Sequence, residues 1–377
     1  MIETVTVEPA ATPAADEPRD EAGMPLAERR EDGGATLGEI SVGLHDSVIE
    51  AVTGRALSEV EHGKLSRADK QRIDALSLAR AKPRWFRIRL PGSGEFASVA
   101  ATVREHGLHT ICEEGRCPNM GECWGKGTAT FQILGDTCTR ACRYCNVKTG
   151  WPGTAADPLE PAKVAQAIRL MGVQHAVVTS VDRDDLPDRG AGQFAALTRA
   201  VRRQAPGSTL ELLTPDFFGR EEEALRTVIG EQPDVFAHNI ETVPRLYRRI
   251  RPKGGYRRAM ELLLRAKEVA VELHGEPVMT KSGIIAGMGE TVDEIKGTMR
   301  DLREHGVDVV TIGQYLRPTR RHAPIDRFYT LDEFRELTAY GEEVGFGSCF
   351  AGPLVRSSYK AEEQRMAALQ PDFVTVD

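Results

Sequence analysis

GDTCTRACRYC, residues 135–145, places three cysteines in a C-x3-C-x2-C spacing directly after the apolar run Phe131–Leu134. This spacing lets one loop wrap around a four-iron cube and present three sulfurs to three irons, so the fourth iron stays open to a small molecule. A zinc knot is the alternative, but structural zinc takes four protein ligands, commonly in pairs. The stretch therefore predicts an iron–sulfur cluster loop at the end of a strand.

A second set of three cysteines lies just upstream, in CEEGRCPNMGECW at residues 112–124, with the spacing C-x4-C-x5-C. Three thiolates do not fill the ligand sphere of a four-iron cube, which normally takes four. The two sets therefore predict two clusters, each of which needs one more ligand. We call Cys112, Cys117 and Cys123 the first triplet, and Cys138, Cys142 and Cys145 the second triplet.

The clustering of the cysteines also bears on the compartment. Six of the seven cysteines lie between positions 112 and 145, which is typical of metal ligation in a reducing cytoplasm rather than of a disulfide framework. Cys349 is left over, and we interpret it as a small buried hydrophobe.

Downstream of residue 85, short apolar runs alternate with amphipathic stretches, a pattern that predicts βα units and a parallel sheet. The predicted fold is a partial or full (β/α) TIM-like barrel, in which site residues gather after the carboxyl ends of the strands. The predicted strands are Phe131–Leu134, Ala176–Ser180, Thr209–Leu213, Val235–Ile240, Val278–Ile285 and Val309–Gln314. The predicted helices are Pro161–Met171, Gln193–Gln204, Glu221–Ile229, Tyr256–Val271, Thr291–Glu304 and Leu331–Val344.

The two ends of the chain differ from this pattern. Residues 1–34 are rich in proline, alanine and acids and show no apolar period, so we expect a disordered tail. Residues 35–81 form a poorly defined extension with a weak helix signal near Ser66–Leu78, and 82–377 form the catalytic domain. There is no run of 18 or more apolar residues, so we expect no membrane span; the net charge of −7 argues against a general nucleic-acid binder.

The C-x3-C-x2-C loop, with an aromatic residue at Tyr144, resembles the radical S-adenosylmethionine (SAM) superfamily. The resemblance implies that the open iron of the second-triplet cluster binds S-adenosylmethionine. It also implies that this cluster donates one electron to release a 5′-deoxyadenosyl radical.

The first triplet, together with Arg356-Ser357-Ser358-Tyr359, is similar to the lipoyl synthase family. The similarity continues through TSVDRDDLPDRGA (179–191), NIETVPRLYRRIRP (239–252), TKSGIIAGMGET (280–291) and TIGQYLRPTRRHAP (311–324). It implies an auxiliary [4Fe-4S] cluster on the first triplet whose fourth ligand is a serine, Ser358 by analogy, with Ser357 as the alternative. The extensions that carry this cluster would be 105–127 and 346–361, around a core of about 128–345.

Further residues are implied as S-adenosylmethionine contacts. Asn239 and Glu241 stand where a predicted strand ends, and alternation would put both on one face. Gly283 and Gly287 would let the backbone approach adenosine, or else form a glycine bend at a strand end. Asp182 and Arg183 follow another strand and would touch the ligand, or else form a structural ion-pair loop with Asp184.

The implied activity is a sulfurtransferase reaction, the insertion of two sulfur atoms at C6 and C8 of an octanoyl-lysine on a lipoyl carrier domain. Such C–H bonds have no useful acidity, so a radical route carried by the cofactors is required. The implied partners are the octanoylated carrier, a low-potential electron donor and an iron–sulfur carrier that rebuilds the auxiliary cluster. The alternative is another radical SAM enzyme, sulfur-inserting or methylthiolating, with an auxiliary cluster. A short basic cluster, Arg317, Arg320, Arg321 and His322, predicts either a docking site for an acidic partner or a solvated loop.

Overall fold

The part of the chain that the structure describes, Pro83 and residues 94–370 of a computed structural model, is built on one eight-stranded sheet. The expectations for 1–34, for 35–81 with its weak helix, and for the start of the catalytic domain lie outside the described residues. The strands are β1 (His109–Thr110), β2 (Thr130–Ile133), β5 (His175–Ser180), β6 (Thr209–Leu213), β7 (Val235–Ala237), β8 (Met279–Ala286), β9 (Val309–Gln314) and β10 (Ser348–Gly352). A two-stranded ribbon, β3 (Thr137–Cys138) with β4 (Lys148–Thr149), stands apart from this sheet.

Helices connect the strands. The helices that precede β2 are α1 (Gly94–Glu105), α2 (Ile111–Glu114) and α3 (Met120–Gly125). The remaining helices are α4 (Glu160–Met171), α5 (Ala191–Gln204), α6 (Glu221–Ile229), α7 (Pro244–Ile250), α8 (Tyr256–His274), α9 (Val292–Glu304), α10 (Leu331–Glu343) and α11 (Ala361–Leu369).

The sheet is an open barrel. Its strand order is β1-β2-β5-β6-β7-β8-β9-β10, and every neighbouring pair is parallel except β1 with β2. Within the described residues, β1 and β10 are the two edges and do not pair with each other. The C-terminal helix α11 contacts β10, β9 and β5, and so packs against strands from both sides of the opening. The predicted (β/α) barrel is confirmed in its partial form.

The strand and helix predictions agree closely with the structure. β6, β9 and α6 begin and end at the predicted residues, and most of the other predicted elements shift by one to three residues. The largest errors are of three residues: α8 ends at His274 instead of Val271, and β7 ends at Ala237 instead of Ile240 because the chain leaves the sheet there. No helix in residues 94–370 has the length and apolar composition needed to cross a membrane.

The barrel interior contains a buried ion pair as well as apolar side chains. Lys281 of β8 contacts both carboxylate oxygens of Glu211 on β6 at 2.8 Å, and His175 of β5 lies 3.5 Å from the same carboxylate. Burial favours the neutral form of each partner, but the Lys281 charge outweighs it at Glu211 and keeps the pKa of that carboxyl below its usual value. The ion pair links β6 and β8, the two strands on either side of β7.

Candidate functional site

The second triplet lies beyond the carboxyl end of β2, on a loop that the β3–β4 ribbon closes. The N–H of Gly150 donates to the carbonyl of Cys138 at 2.9 Å, and the N–H of Cys145 donates to that of Cys142 at 3.2 Å. All three cysteines are half-buried and free. The loop therefore has a defined shape made by its own backbone.

Backbone hydrogen bonds fix this loop to neighbouring segments. The N–H of Thr139 donates to the carbonyl of Asp182 at 2.9 Å, and the N–H of Arg143 donates to the carbonyl of Ile250 at 2.8 Å. The Arg143 carbonyl accepts from the N–H of Ala323, also at 2.8 Å. The loop is thus held by the segments that follow β5, α7 and β9.

Arg140, between the first two cysteines of the loop, makes the strongest of these attachments. Its guanidinium contacts both carboxylate oxygens of Asp184 (2.5 and 2.8 Å) and one oxygen of Asp216 (3.0 Å). It also donates to the carbonyl of Lys253 at 3.1 Å. Burial opposes the charged form, but these carboxylates hold the pKa of Arg140 above its usual value. Arg140 therefore remains charged and ties the loop to the ends of β5 and β6.

The sulfur of Cys138 accepts two backbone hydrogen bonds. The N–H groups of Arg140 and Asp182 both lie 3.4 Å from Cys138 Sγ. Such donors stabilise negative charge on sulfur and tune the potential of iron–sulfur clusters. Burial raises the pKa of Cys142 to about 11 and that of Cys145 to about 12. These thiols therefore need a bound metal to hold them as thiolates.

In the first triplet, Cys112 lies on α2, Cys123 lies on α3 and Cys117 lies in the turn between them, next to the edge strand β1. Thr110 caps α2 by accepting the N–H of Glu113 at 3.3 Å, and the N–H of Cys117 donates to the carbonyl of Cys112 at 2.9 Å. Burial raises the pKa of Cys123 to about 12, and the nearby thiols Cys117 and Cys112 raise it further. The three sulfurs are therefore electrostatic neighbours in a buried setting.

The Arg356–Tyr359 segment folds onto the first triplet. The side-chain amide of Asn119 donates to the carbonyl of Leu354 at 2.6 Å, and the hydroxyl of Tyr359 donates to Glu122 at 3.3 Å. The charge of Arg356 lowers the pKa of Cys117, although burial has the larger, opposite effect. Two hydrogen bonds and one electrostatic interaction thus bring the two ends of the barrel sequence together.

The two serines of this segment have different surroundings. The segment is not extended, because residues 357–360 form a turn in which the N–H of Tyr359 donates to the carbonyl of Arg356 at 3.0 Å. Ser357 donates from its hydroxyl to Asn239 Oδ1 at 2.9 Å. Within residues 94–370 the Ser358 hydroxyl makes no hydrogen bond. Ser357 therefore faces the strand ends, and Ser358 is the uncommitted hydroxyl.

Two glycines in the strands make room for the segment. A Cβ on Gly313 of β9 would lie 2.0 Å from the carbonyl oxygen of Val355. A Cβ on Gly283 of β8 would lie 2.8 Å from both Ser357 Oγ and Asn239 Oδ1. Contacts this short essentially do not occur, so glycine is required where the segment crosses the strands.

Asn239 and Glu241 come together, although not by strand alternation, since β7 ends before them. Glu241 adopts the left-handed region (φ 70°), and its backbone bonds to β8 through the carbonyl of Gly283 and the N–H of Ile285, both at 2.8 Å. Burial raises the pKa of Glu241, while hydrogen bonds with Asn239 and Tyr144 oppose that rise. The two polar side chains therefore share one place beside the second triplet.

The other predicted contact residues have mainly structural partners. Arg183 is buried and donates to Asp185, to the carbonyl of Leu134 and to the carbonyl of Thr154, as a structural ion-pair loop requires. Asp182 faces Cys138, with its carboxylate 3.7 Å from the sulfur.

Gly287 is closely surrounded by other residues of the chain. It has φ 107°, and a Cβ there would meet Gln314 at 2.2 Å and the carbonyl of Arg327 at 2.6 Å. A glycine bend accounts for these contacts. Gly283, by contrast, adjoins Asn239.

Sequence reasoning missed a buried histidine–arginine pair behind Asn239. His238 Nδ1 donates to the carbonyl of Thr214 at 2.8 Å, and its Nε2 accepts from Arg251 at 3.2 Å. Burial lowers the pKa of His238 to about 3, so the ring is neutral. Arg251 also donates to the carbonyl of Asn239 at 2.6 Å. The only available signal was the position of both residues after predicted elements.

The basic cluster reaches the second triplet through His322. Its Nε2 donates to the carbonyl of Cys145 at 2.9 Å, and its Nδ1 accepts from Thr319 at 2.9 Å. Arg320 and Arg321 are exposed. Cys349, outside the triplets, is partly buried against the core.

No three His, Cys, Asp or Glu side chains among residues 94–370 converge closely enough to hold a single metal ion. Cysteine ligands of a cube each bind a different iron, so they need not converge on one point.

Comparison with known proteins gives the class first. The family model of the radical SAM superfamily matches residues 133–302, which include the second triplet and the ends of β5 to β8. The chain is 54% identical over 284 residues to the lipoyl synthase of Rubrobacter xylanophilus, a match that covers 75% of this chain and 86% of that relative. It is 51% identical over 283 residues to the lipoyl synthase of Methylococcus capsulatus, covering 75% and 86%, and 50% identical over 292 residues to that of Thermus thermophilus, covering 77% and 88%.

These identities extend over most of the length of each relative, and the chain belongs to the lipoyl synthase family.

Proposed function

We propose that the chain is a sulfurtransferase that inserts two sulfur atoms at C6 and C8 of an octanoyl chain, which is amide-linked to a lysine of a lipoyl carrier domain. The observation that carries this proposal is the folding of the Arg356–Tyr359 segment onto the first triplet. Asn119 contacts the Leu354 carbonyl and Glu122 contacts Tyr359, so the serine-containing segment lies beside the turn and helix that carry Cys117 and Cys123.

The residues fit two [4Fe-4S] clusters and S-adenosylmethionine. When bound, the second-triplet cluster would supply an electron that releases a 5′-deoxyadenosyl radical, and the first-triplet cluster would supply sulfur. The chain's own task is to hold these groups and the acyl chain in line and to exclude water.

Cys138, Cys142 and Cys145 would hold the cluster that activates S-adenosylmethionine. The two N–H donors at Cys138 would stabilise its thiolate, and Arg140 fixes the loop through Asp184 and Asp216. These attachments are made by the chain's own residues and would help to hold the loop in a ligating shape.

Cys112, Cys117, Cys123 and Ser358 would hold the auxiliary cluster. Ser358 is favoured over Ser357 because the Ser357 hydroxyl is already bonded to Asn239. A serine oxygen is a harder and weaker partner for cluster iron than a thiolate, which suits a cluster that is opened and consumed.

Asn239 and Glu241 would bind S-adenosylmethionine, because they lie together beside Tyr144, which is on the loop that carries the second triplet. A buried carboxylate and amide offer an acceptor and a donor for the amino group or ribose. Gly283 adjoins this pair and would allow close approach, whereas Asp182 serves chiefly to position Cys138.

The partners of the reaction follow from its chemistry. The octanoylated carrier is the protein substrate; an external low-potential electron donor and an iron–sulfur carrier complete the cycle. Arg320 and Arg321, exposed beside the second triplet, would attract an acidic carrier domain. Seven free cysteines fit a reducing cytoplasm.

The test is anaerobic reconstitution, followed by incubation with S-adenosylmethionine, a reductant and an octanoyl-lysine peptide. We expect the dithiolated product, with loss of the first-triplet cluster and retention of the second. Ser358→Ala should still release 5′-deoxyadenosine but should give no dithiolated product. Methylthiolated product from the unaltered chain would contradict the proposal, and so would iron for about one cube per chain instead of two.

A further inference from the structure

A line of polar contacts runs between the two triplets. The Ser357 hydroxyl donates to Asn239 Oδ1 at 2.9 Å, which leaves the Asn239 amide N–H2 to donate elsewhere. The side chains of Asn239 and Tyr144 both lower the pKa of the Glu241 carboxyl against the effect of burial, and Tyr144 acts in the same way on Cys142, so these groups are close neighbours. The line therefore begins next to Ser358 and ends on a cysteine of the second triplet.

We propose that Ser357 is a positioning residue that couples the S-adenosylmethionine site to the auxiliary-cluster site through Asn239. This inference rests on the proposed function, because it takes Ser358 as the cluster ligand and the Asn239–Glu241 pair as the S-adenosylmethionine site. The role of Ser357 is then to orient the Asn239 amide, and not to bind iron.

The Ser357 hydroxyl lies close over Gly283 of β8. The Ser357 oxygen lies 2.8 Å from the position that a Cβ on Gly283 would occupy. The Thr311 hydroxyl oxygen lies 3.0 Å from the same position. The Thr311 hydroxyl itself contacts the carbonyl of Ser282 at 3.4 Å. Ser357 thus lies over the β8–β9 pair, and its hydroxyl is near Gly283 of β8 and Thr311 of β9.

The Asn239 side of the link is rigid. The carbonyl of Asn239 accepts from Arg251 at 2.6 Å, and Arg251 is itself held by the Tyr247 hydroxyl at 3.0 Å and by His238. The Glu241 backbone is bonded to β8 on both sides. On the other side, Ser357 lies in a turn.

Coupling of this kind is reciprocal. If the turn is held in place by Ser358 on the auxiliary cluster, the Asn239 amide is held in its binding orientation. Equally, a ligand on Asn239 and Glu241 steadies the turn. We therefore expect S-adenosylmethionine to slow the loss of iron from the first triplet, and the loss of the Ser358 ligand to weaken the binding of S-adenosylmethionine.

The experiment compares Ser357→Ala with the unaltered chain, both with two clusters reconstituted. Iron content, the dissociation constant of S-adenosylmethionine and the rate at which a chelator removes iron from the first triplet are measured. Ser348→Ala is the matched control, since Ser348 is a buried serine of the same C-terminal region whose hydroxyl has no partner among the described residues.

Ser357→Ala should retain two cubes, bind S-adenosylmethionine about three- to tenfold more weakly, as for one lost hydrogen bond, and abolish the protection of the first triplet. Asn239→Ala should show the same loss of protection, and the double variant should be no worse than Asn239→Ala alone, because both changes remove one link. Ser348→Ala should leave all three measurements unchanged.

Two results would overturn the inference in distinguishable ways. If Ser357→Ala keeps both cubes and binds S-adenosylmethionine as tightly as the unaltered chain, the link is wrong while the cluster assignment stands. If Ser357→Ala alters the auxiliary cluster and Ser358→Ala does not, Ser357 is the ligand, and the serine assignment under the proposed function fails as well.

Discussion

Gly313→Ala gives a direct test of how the auxiliary site is assembled. The new Cβ would lie 2.0 Å from the Val355 carbonyl oxygen and 3.0 Å from Arg356 Nη1. Real Cβ atoms essentially never approach another heavy atom within 3.0 Å, so the segment must retreat by at least about 1 Å. Metal–ligand distances tolerate only about 0.2 Å, and the displacement is several times larger. The Ser358 hydroxyl should therefore leave the position proposed for iron ligation.

The obstacle is a backbone carbonyl, which has no rotamer to escape into. Overpacking of this kind costs about 1–3 kcal/mol, and we expect the upper half of that range. Urea unfolding of the metal-free chain measures the stability. Iron analysis and EPR after anaerobic reconstitution measure cluster loading, with the second triplet as an internal reference that should still fill.

Gly297→Ala is the matched control. Gly297 lies within α9, and the nearest atom to its new Cβ is Arg300 Nη2 at 3.9 Å. Alanine in a helix should be neutral or stabilising by about 0.5–1 kcal/mol. A Gly313→Ala chain that loads both cubes normally, with stability within about 0.5 kcal/mol of its parent, would refute the reasoning.

Three further outcomes follow from the site and the core. Arg140→Gln removes the cation that pairs with the half-buried Asp184 and one of the two cations that pair with the buried Asp216, the other being Arg258. It should therefore cost about 3 kcal/mol in urea unfolding, the lower end of the range for a broken buried pair, and lower iron loading at the second triplet only; the exposed Arg257→Gln should change stability by less than about 0.5 kcal/mol. Lys281→Met should cost a similar 3–5 kcal/mol by the same measurement, and adding Glu211→Leu should recover much of it; no recovery would contradict the burial argument. Ser358→Cys should load a more chelator-resistant auxiliary cube yet transfer sulfur more slowly, and unchanged single-turnover rates would count against a weak ligand as the reason for serine.

The barrel could be predicted from the sequence because its strands are buried on both faces and read as apolar runs. β6, β9 and α6 illustrate this. β10 was missed because its sequence, SCFAG, mixes small and half-buried residues and gives no such run. The short helices α2 and α3 were missed because, at 4 and 6 residues, they are too short to show an apolar period.

The candidate site, like the fold, was predicted in part and missed in part. The cysteine spacings are local, so the sequence alone is enough to find both triplets. The attachment of Arg140 to Asp184 and Asp216 joins the ends of different strands, and no local pattern reports such a pairing. The need for glycine at Gly313 depends on a carbonyl that arrives from Val355, which only the folded chain reveals.

The contact between Asn119 and the Leu354 carbonyl spans 235 positions of the chain. During synthesis, the first triplet leaves the ribosome long before the serine that would complete its ligand set. A chain interrupted within β9 would already contain every cysteine of both triplets, yet it could not close the auxiliary site. If Ser358 is the fourth ligand, as proposed, the auxiliary site would be loaded only after that residue has been made, and a cell that supplied iron to nascent chains would fill the second triplet first.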